Sequence, residues 1–434
     1  MKQLTRLFIP ICLETLFYML SGMVDTLMLS AVGDYAVGAG GTANSYIGIF
    51  IIMFSIISSG MVSVMTQNIG AGRPGVAYQA RQLGLLFNAV AGVLMAVFLF
   101  SGAGAILRMV GIADALYEPA LIYLKIVGGG CILNAVIPIF SSYLRAFGYT
   151  KQPLYATIVG NIANFVMNAV FLFVLHKGVA GVAAATVISK ILNLCIVLYF
   201  SHKLISAKNS TERIANKTGL GQIVKVGLPS ACETALYNVA MMLVIRFLNQ
   251  MDAEGLNVTA RSYTATISNF SYCVGAALAQ ANAIMTGWHI GAGELEECDR
   301  GTKRAAFVGV CVAVCMETAI VLGSGFIMPL FTDNPEMTAL VRKLLAIDIV
   351  LEIGRVTNLV FGQALKTSGD AVFPAVIAAV FMFVFAVGGT WLFGISMGLM
   401  AVGAYIGLAS DECVRAVGMG WRWKTGKWRT KKLV

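Results

Sequence analysis

Long apolar stretches recur from the first turn of this chain almost to its end, and they constrain its fold more than any other feature. Each is about 20 residues or longer, which is enough to cross a hydrocarbon core of about 30 Å as a helix. The chain is 58% hydrophobic and only 12% charged, whereas soluble domains are about half apolar and a quarter charged. The sequence therefore predicts an all-α polytopic membrane protein.

Counting these stretches predicts twelve helices in two parallel sets of six. The first set lies near 7–31, 42–67, 83–107, 118–146, 153–175 and 178–201, and the second near 222–250, 258–288, 303–330, 337–366, 372–394 and 397–419. The predicted domains are an N-lobe (1–201), a cytoplasmic linker (202–221), a C-lobe (222–419) and a basic cytoplasmic tail (420–434). The opening stretch is too long for a signal peptide and no cleavage site follows it, so we interpret it as a retained first helix.

The formal charge of +10 is distributed unevenly over the connections between helices. Basic residues lie in alternate connections and in the tail "WRWKTGKWRTKKLV", whereas the remaining connections are mainly acidic. By the positive-inside rule, both termini then lie in the cytoplasm, and we expect a multi-pass protein of a bacterial inner membrane. Topology explains the positive charge, so we expect no nucleic-acid partner; the tail is suited to contact anionic lipid of the bilayer.

The chain lacks the sequence motifs of an enzyme. Its nine cysteines and three histidines are scattered singly, without the spacing of a metal site. There is no HExxH, DxxD or GxSxG motif and no glycine-rich phosphate-binding loop. We therefore expect a protein that is not an enzyme, carries no cofactor and does not bind ATP.

The two halves of the chain repeat one another at an offset of 219 to 221 residues. The matches are "IPICLET" (9–15) with "LPSACET" (228–234), "NIGAGRPG" (68–75) with "HIGAGELE" (289–296), and "LRAFGYTKQP" (144–153) with "LKTSGDAVFP" (365–374). Six crossings return the chain to its starting side, so the two copies are parallel. Parallel repeats of this kind are typical of transporters, in which the substrate path lies between the halves.

A carboxylate near the outer end of the first helix has no counterpart in the second half. Asp25 corresponds to Val244 in the repeat, and a charged side chain in a membrane helix costs about 2.5–3.5 kcal/mol. At about 1.5 Å per residue, Asn164, Asn168 and Thr186 fall at the same depth as Asp25. These four residues predict a polar site in the N-lobe, since their repeat partners are apolar or lack a side chain.

The composition of this site is compatible with three roles. One carboxylate, two carboxamides and a hydroxyl supply hard oxygen ligands for a small cation such as Na⁺. The same groups can form a hydrogen-bonded pocket in which the carboxyl group takes up and releases a proton. They can also simply join helices, as Asn and Thr often do in membranes.

Further polar residues are candidates for gating and for substrate contact. Glu14 and Glu233 lie four residues after Pro10 and Pro229, and their duplication favours a shared structural or gating role over ion coupling. Spacing of three or four residues also predicts helix-face ion pairs within 352–355 and 411–415. A last group lies on helices 1, 2, 7 and 8 and is predicted to line a central substrate cavity: Tyr18, Asn44, Tyr237, Asn238, Tyr263 and Asn269.

Taken together, these motifs resemble the multidrug and toxic compound extrusion (MATE) family, and most closely its DinF-like branch. The resemblance is carried by "IPICLETLFYMLSGMVDTLMLSAVG", "TQNIGAGRPGVAYQA", "LRAFGYTKQP", "NIANFVMNAVF", "GVAGVAAAT", "LKTSGD" and "KTGKW" in this order. It implies a V-shaped transporter with two six-helix lobes that exports organic cations and other toxic compounds against H⁺ or Na⁺.

The resemblance also implies roles for single residues. Asp25 matches the helix-1 aspartate that couples the ion in this branch, and Asn164 and Thr186 match its asparagine and threonine. Asn168 departs from the pattern, which often has aspartate there, and this departure favours H⁺ over Na⁺. The C-lobe acids of the NorM-like branch fall at Arg355 and near Tyr237, so we expect no cation site in the C-lobe.

The main alternative function is that of a lipid-linked precursor flippase of the same superfamily. Such proteins tend to have more basic cavities, and we interpret the Arg and Lys residues of this chain as largely loop-bound. We therefore expect an antiporter whose partners are a small organic cation and the lipid bilayer, acting as a monomer.

Overall fold

A computed structural model describes residues 2–110, 112–206, 212–252 and 255–434. Within these ranges the chain is helical and contains no β-strand. Part of the predicted cytoplasmic linker, residues 207–211, lies outside the described residues. All twelve predicted helices are present in the described part of the chain, and the all-α prediction is confirmed.

The first six predicted helices are seven in the structure, because the fourth is divided at Gly130. They are α1 (Lys2–Ser30), α2 (Asp34–Gly70), α3 (Pro74–Val110), α4 (Asp114–Gly129), α5 (Cys131–Ala146), α6 (Lys151–Ala169) and α7 (Gly178–Leu204). After α6 the chain continues as a π-helical turn, Val170–Val174. Such turns often accompany functional sites, and this one begins two residues after Asn168.

The second half follows the same order. Its helices are α8 (Asn216–Met251), α9 (Leu256–Ala292), α10 (Leu295–Ile327), α11 (Pro335–Ser368), α12 (Val372–Phe381) and α13 (Met400–Lys424). A 3₁₀ turn (Met328–Leu330) extends α10, and two π-helical segments (Met382–Val387 and Thr390–Ser396) extend α12. Several helices begin or end well outside the predicted limits, because hydropathy marks only the part that lies in the apolar core.

Eight helical segments of the described chain are long and apolar enough to cross a membrane. The chain divides into two compact units, residues 9–227 and residues 1–8 with 228–434. In the first unit, α2 packs against α3, α4 and α5, and α6 packs against α7. In the second unit, α11 is central and packs against α9, α10 and α13.

Within the first unit, α2 and the first turns of α8 approach each other through two glycines. A Cβ atom on Gly60 would lie 1.9 Å from the carbonyl oxygen of Ile223. A Cβ atom on Gly227 would lie 1.8 Å from the carbonyl oxygen of Ile56. Small residues at membrane helix contacts allow backbones to approach this closely, and here any side chain would force the two helices apart.

The residues of the predicted tail, 420–434, begin within the last helix of the chain. The helix α13 runs on to Lys424, and a 3₁₀ turn, Lys427–Thr430, folds back on it. The ring of Trp428 stacks on that of Trp423, with centroids 4.2 Å apart and an angle of 9° between the planes. Burial of these two indoles holds the tail against the second unit, which the charge pattern of the tail does not indicate.

Candidate functional site

Three helices of the first unit bring the predicted N-lobe residues together. Asp25 lies on α1, Asn164 and Asn168 lie on α6, and Thr186 lies on α7. The four-residue spacing of the two asparagines places both on one face of α6. Asn164, Asn168 and Thr186 are buried, and Asp25 is half-buried.

Asn168 and Thr186 hold the carboxylate of Asp25 from two sides. Asn168 Nδ2 donates to Asp25 Oδ1 at 3.2 Å and to Asn164 Oδ1 at 3.1 Å, so both amide protons are used. Thr186 Oγ1 lies 3.3 Å from Asp25 Oδ2 and 3.0 Å from the carbonyl oxygen of Val182. Because a hydroxyl has one proton, these two acceptors share it.

One strong acceptor of this site has no partner. Asn168 Oδ1 is buried and accepts no hydrogen bond from any described residue. Buried amide oxygens are usually satisfied, so this atom has the capacity to bind a group that the described protein atoms do not supply. Asn168 Oδ1 could bind a cation, or it could accept a hydrogen bond from a protonated Asp25.

Lys190 and Tyr123 complete the surroundings of Asp25. Lys190 lies one turn after Thr186 on α7, and its Nζ atom donates to Asn134 Oδ1 at 2.9 Å. The charge of Lys190 acts on Asp25, and the charge of Asp25 in turn acts on the nearby phenol group of Tyr123. The carboxylate therefore has a cation in its neighbourhood without a direct ion pair to it in the described chain.

The helix α1 is joined to its unit by polar bonds in addition to buried apolar side chains such as Ile11 and Leu29. Among the described residues it has few close backbone approaches to other helices. Asn161 Nδ2 donates to the carbonyl oxygen of Phe17 at 2.6 Å, and Arg145 Nη2 lies 2.5 Å from Glu14 Oε1. A change in the charge of Asp25 or Glu14 would alter the polar contacts that these two residues make with other helices.

The two duplicated glutamates are both ion-paired, and with equivalent residues. Glu14 pairs with Arg145, and Glu233 pairs with Lys366 at 2.8 Å. Arg145 and Lys366 occupy the second position of the matching motifs "LRAFG" and "LKTSG". Each half thus ties its first helix to the same motif.

The second unit contains a cavity of about 470 Å³ with charged walls. Tyr237 and Asn269, two of the predicted cavity residues, line it together with Arg261, Lys366 and Arg355. Further charged residues in its walls are Glu233, Asp348, Asp411, Glu412 and Arg415.

The other predicted cavity residues lie elsewhere. Asn238 is exposed and does not line this cavity, and Tyr263 Oη donates to the carbonyl oxygen of Phe331 at 3.4 Å. In the first unit, Tyr18 is 69% exposed. Asn44 Nδ2 donates to Tyr123 Oη at 3.2 Å, next to the Asp25 site.

The interpretation that basic residues are largely loop-bound is wrong for the second unit. Arg261, Arg355 and Arg415 lie within helices and line the cavity. Two of them are tolerated there because carboxylates neutralise them: Arg355 pairs with Glu352, and Arg415 Nη2 lies 2.7 Å from Asp411 Oδ2. Both predicted helix-face ion pairs are therefore present.

Sequence reasoning missed two buried carboxylates of the same region, Glu317 on α10 and Asp348 on α11. Both lie in apolar stretches, the same signal that singled out Asp25. Their proximity could not be found from spacing, since they lie 31 positions apart along the chain.

Comparisons with known proteins agree with this architecture. A family model described as MatE matches residues 10–170 and 229–392. The uncharacterised transporter YisQ of Bacillus subtilis is 32% identical over 430 residues, which is 98% of this chain and 94% of that protein. The probable multidrug resistance protein NorM of Thermotoga maritima is 20% identical over 446 residues, covering 100% of this chain and 94% of that protein.

Solved structures share the fold over nearly the whole chain. A mutant of the Vibrio cholerae MATE transporter VcmN has a TM-score of 0.89 at 17% identity, covering 99% of this chain and 98% of that one. An outward-facing MATE family transporter of the MOP superfamily has a TM-score of 0.84 at 20% identity, covering 98% and 96%.

Fold and sites together define a multi-pass helical membrane transporter, with the twelve-helix architecture of those structures. The matched residues and the YisQ relative then show the family: this chain belongs to the MATE family of multidrug-efflux transporters. The family resemblance is confirmed.

Proposed function

We propose that this transporter is a secondary antiporter that exports organic cations, drugs or toxic metabolites in exchange for H⁺ or Na⁺. The observation that carries the proposal is the Asp25 site. A half-buried carboxylate on α1 is hydrogen-bonded to two other helices, beside an unpartnered amide oxygen. The charge pattern supports cytoplasmic termini in a bacterial inner membrane, and we propose that one chain acts as a monomer.

Protonation of Asp25 would change how α1 is held. An ionised carboxylate only accepts hydrogen bonds, whereas a protonated one also donates. The added proton on Asp25 would compete with the N–H of Asn168 and the O–H of Thr186, and Asn168 Oδ1 is available to accept it. Because these hydrogen bonds join α1 to two other helices, the two charge states would stabilise different positions of this helix, which is what coupling to substrate requires.

We favour H⁺ over Na⁺ as the coupling ion at this site. The oxygens of Asp25, Asn164, Asn168 and Thr186 would serve Na⁺ as ligands, but only one of these groups is charged. The cationic Lys190 acts on the same carboxylate. A single carboxylate with a cation close by is better suited to exchange a proton than to hold a metal ion.

The flippase alternative is favoured by one observation in the second unit. Arg261 lines the cavity and makes no ion pair within the described chain, and its Nη2 atom lies 3.8 Å from Met241 Sδ. An unpaired guanidinium group in a cavity suits a phosphate or carboxylate of a substrate. A transport assay distinguishes this alternative: an anionic lipid headgroup added in excess would inhibit transport by a flippase, but not export of an organic cation.

The first test is export of a fluorescent organic cation from proteoliposomes with an imposed pH or Na⁺ gradient. We expect transport driven by the pH gradient in wild type and its loss in Asp25→Asn, because the carboxamide cannot exchange a proton. Asp333→Asn, which changes an exposed carboxylate before α11, is the matched control and should transport as wild type does. Undiminished transport by the Asp25 variant would make this residue structural.

A further inference from the structure

Three carboxylates of the second unit converge inside the protein. Glu317 lies on α10, and Asp348 and Glu352 lie one turn apart on the facing side of α11. One oxygen atom from each lies within 4.8 Å of the other two. Their exposed fractions are 0%, 3% and 0%, so water does not separate their charges.

Each of these carboxylates has oxygen atoms that nothing satisfies. Both oxygens of Glu317, Oδ2 of Asp348 and Oε2 of Glu352 are buried without a hydrogen-bond partner among the described residues. Buried carboxylate oxygens without donors or counterions are costly. Four such atoms in one cluster indicate that a positive charge belongs between them.

A third helix adds two neutral oxygens to the cluster. Ser268 and Ser271 of α9 are buried, and they lie next to Asp348 and Glu317, respectively. Neither hydroxyl makes a hydrogen bond of normal geometry within the described chain. Unpartnered hydroxyl groups beside unpartnered carboxylates are a suitable set of ligands for a hard cation.

Neighbouring cations do not balance the charge of this region. Arg355 pairs with Glu352 and Glu412, and Arg415 pairs with Asp411 and Glu412. Two guanidinium groups thus serve five carboxylates: Glu317, Asp348, Glu352, Asp411 and Glu412. Arg261, Lys366 and Glu233 also face the adjoining cavity, and the last two neutralise each other. Glu317 has no ion pair in the described chain.

We propose that Glu317, Asp348 and Glu352, with the hydroxyl groups of Ser268 and Ser271, form a binding site for one hard cation of the Na⁺ and Ca²⁺ size class. One oxygen atom from each carboxylate lies within 4.8 Å of the other two, so an ion at their centre would lie about 2.8 Å or less from each, which admits the Ca²⁺–oxygen range. That range is about 2.3–2.6 Å, and Na⁺ has nearly the same radius as Ca²⁺. Mg²⁺ usually keeps several of its waters, so a buried set of protein oxygens suits it less well.

This site is separate from the Asp25 site and differs from the one that the family resemblance would have placed in the C-lobe. The positions implied there hold Arg355 and Tyr237, whereas the carboxylates lie on α10 and earlier on α11. The expectation of no C-lobe cation site took no account of them. Asp348 and Arg355 also line the cavity, so a bound cation would change the charge of its wall.

The experiment measures binding directly, on the purified full-length chain in detergent at mildly alkaline pH. An Asp25→Asn background keeps the N-lobe site out of the measurement. Radioactive Na⁺ and Ca²⁺ are titrated in separate arms that show which ion the site takes, with K⁺ and Mg²⁺ as competitors of the wrong size. We expect saturable binding of one ion per chain, and its loss when Glu317→Gln is added.

Two controls keep the result interpretable. Glu297→Gln changes an exposed carboxylate on the same helix and should leave binding unchanged. Ser271→Ala leaves every charge in place and should weaken binding of the ion about tenfold. This variant tests the site even if the Glu317→Gln protein fails to fold. No saturable binding of either ion, or binding that neither Glu317→Gln nor Ser271→Ala weakens, would overturn the proposal. Because transport is not measured, this result is independent of the role of Asp25.

Discussion

At the scale of single residues, this transporter handles buried carboxylates in two different ways. Asp25 accepts hydrogen bonds from a carboxamide and a hydroxyl and has a lysine in its neighbourhood. Glu317 lies in the second unit with two unsatisfied oxygens and two carboxylates close by. The first environment stabilises a single charge with neutral dipoles, whereas the second requires an added cation or proton.

Replacing Asn168 by aspartate tests what limits the N-lobe site to protons. Asn168→Asp would place a second carboxylate next to Asp25, where the amide of Asn168 now donates a hydrogen bond. Two adjacent carboxylates favour a bound cation. We expect transport by this variant to become Na⁺-dependent, measured as dye export with a Na⁺ gradient and no pH gradient. Asn168→Ala, which removes the amide without adding charge, is the control. Unchanged ion dependence in Asn168→Asp would contradict this account of selectivity.

At the scale of helices, the first unit contains two kinds of contact. Glycines allow two helix backbones to approach closely, whereas polar bonds join a helix that has few such approaches. The helix α2 and the start of α8 meet backbone to backbone at Gly60 and Gly227. The helix α1, in contrast, has few close backbone approaches and is joined by hydrogen bonds and an ion pair. Within the first unit, α2 is therefore expected to be a fixed element and α1 a movable one.

The variant Gly60→Ala tests the close contact. Its Cβ atom would lie 1.9 Å from a backbone carbonyl oxygen, so the helices must separate, at a cost of about 1–3 kcal/mol. Gly48→Ala on the same helix is the matched control, because nothing lies within 4 Å of its Cβ position. We expect a lower thermal unfolding temperature for Gly60→Ala only. Equal unfolding temperatures for the two variants would show that the contact is not needed.

At the scale of the whole molecule, one duplicated scaffold carries two different sites. Both halves retain the same ion pair, Glu14 with Arg145 and Glu233 with Lys366. The polar site of Asp25 and the cluster around Glu317 each belong to one half only, since the repeat partner of Asp25 is Val244. Retention of the pair in both halves indicates that it serves the scaffold, whereas the sites have diverged.

Charge exchange at the second pair tests this assignment. Glu233→Lys alone or Lys366→Glu alone leaves two like charges in a mostly buried contact, and we expect each to lower stability by about 3 kcal/mol. The double variant restores opposite charges and should recover most of that loss. Thermal unfolding of the four proteins gives the coupling. If the loss of stability in the double variant equalled the sum of the losses in the two single variants, the pair would have no structural role.

The sequence by itself determined the helical membrane class, the duplication and the neighbours of Asp25. Membrane helices are nearly straight rods of known rise, so depth can be read from position along the chain. For this reason Asn164, Asn168 and Thr186 could be placed beside Asp25 before their contacts were known. The internal repeat singled out Glu14 and Glu233, but not the residues with which they pair.

Only the tertiary structure decided which charged residues of different helices share a neighbourhood in the second unit. Depth does not show how each helix is rotated about its axis, and rotation depends on packing against residues far away in the chain. The meeting of Glu317 with Asp348, the folding back of Trp428 and the division of the fourth helix at Gly130 all depend on such packing. Hydropathy and spacing are properties of one segment, whereas these features are properties of several segments in contact.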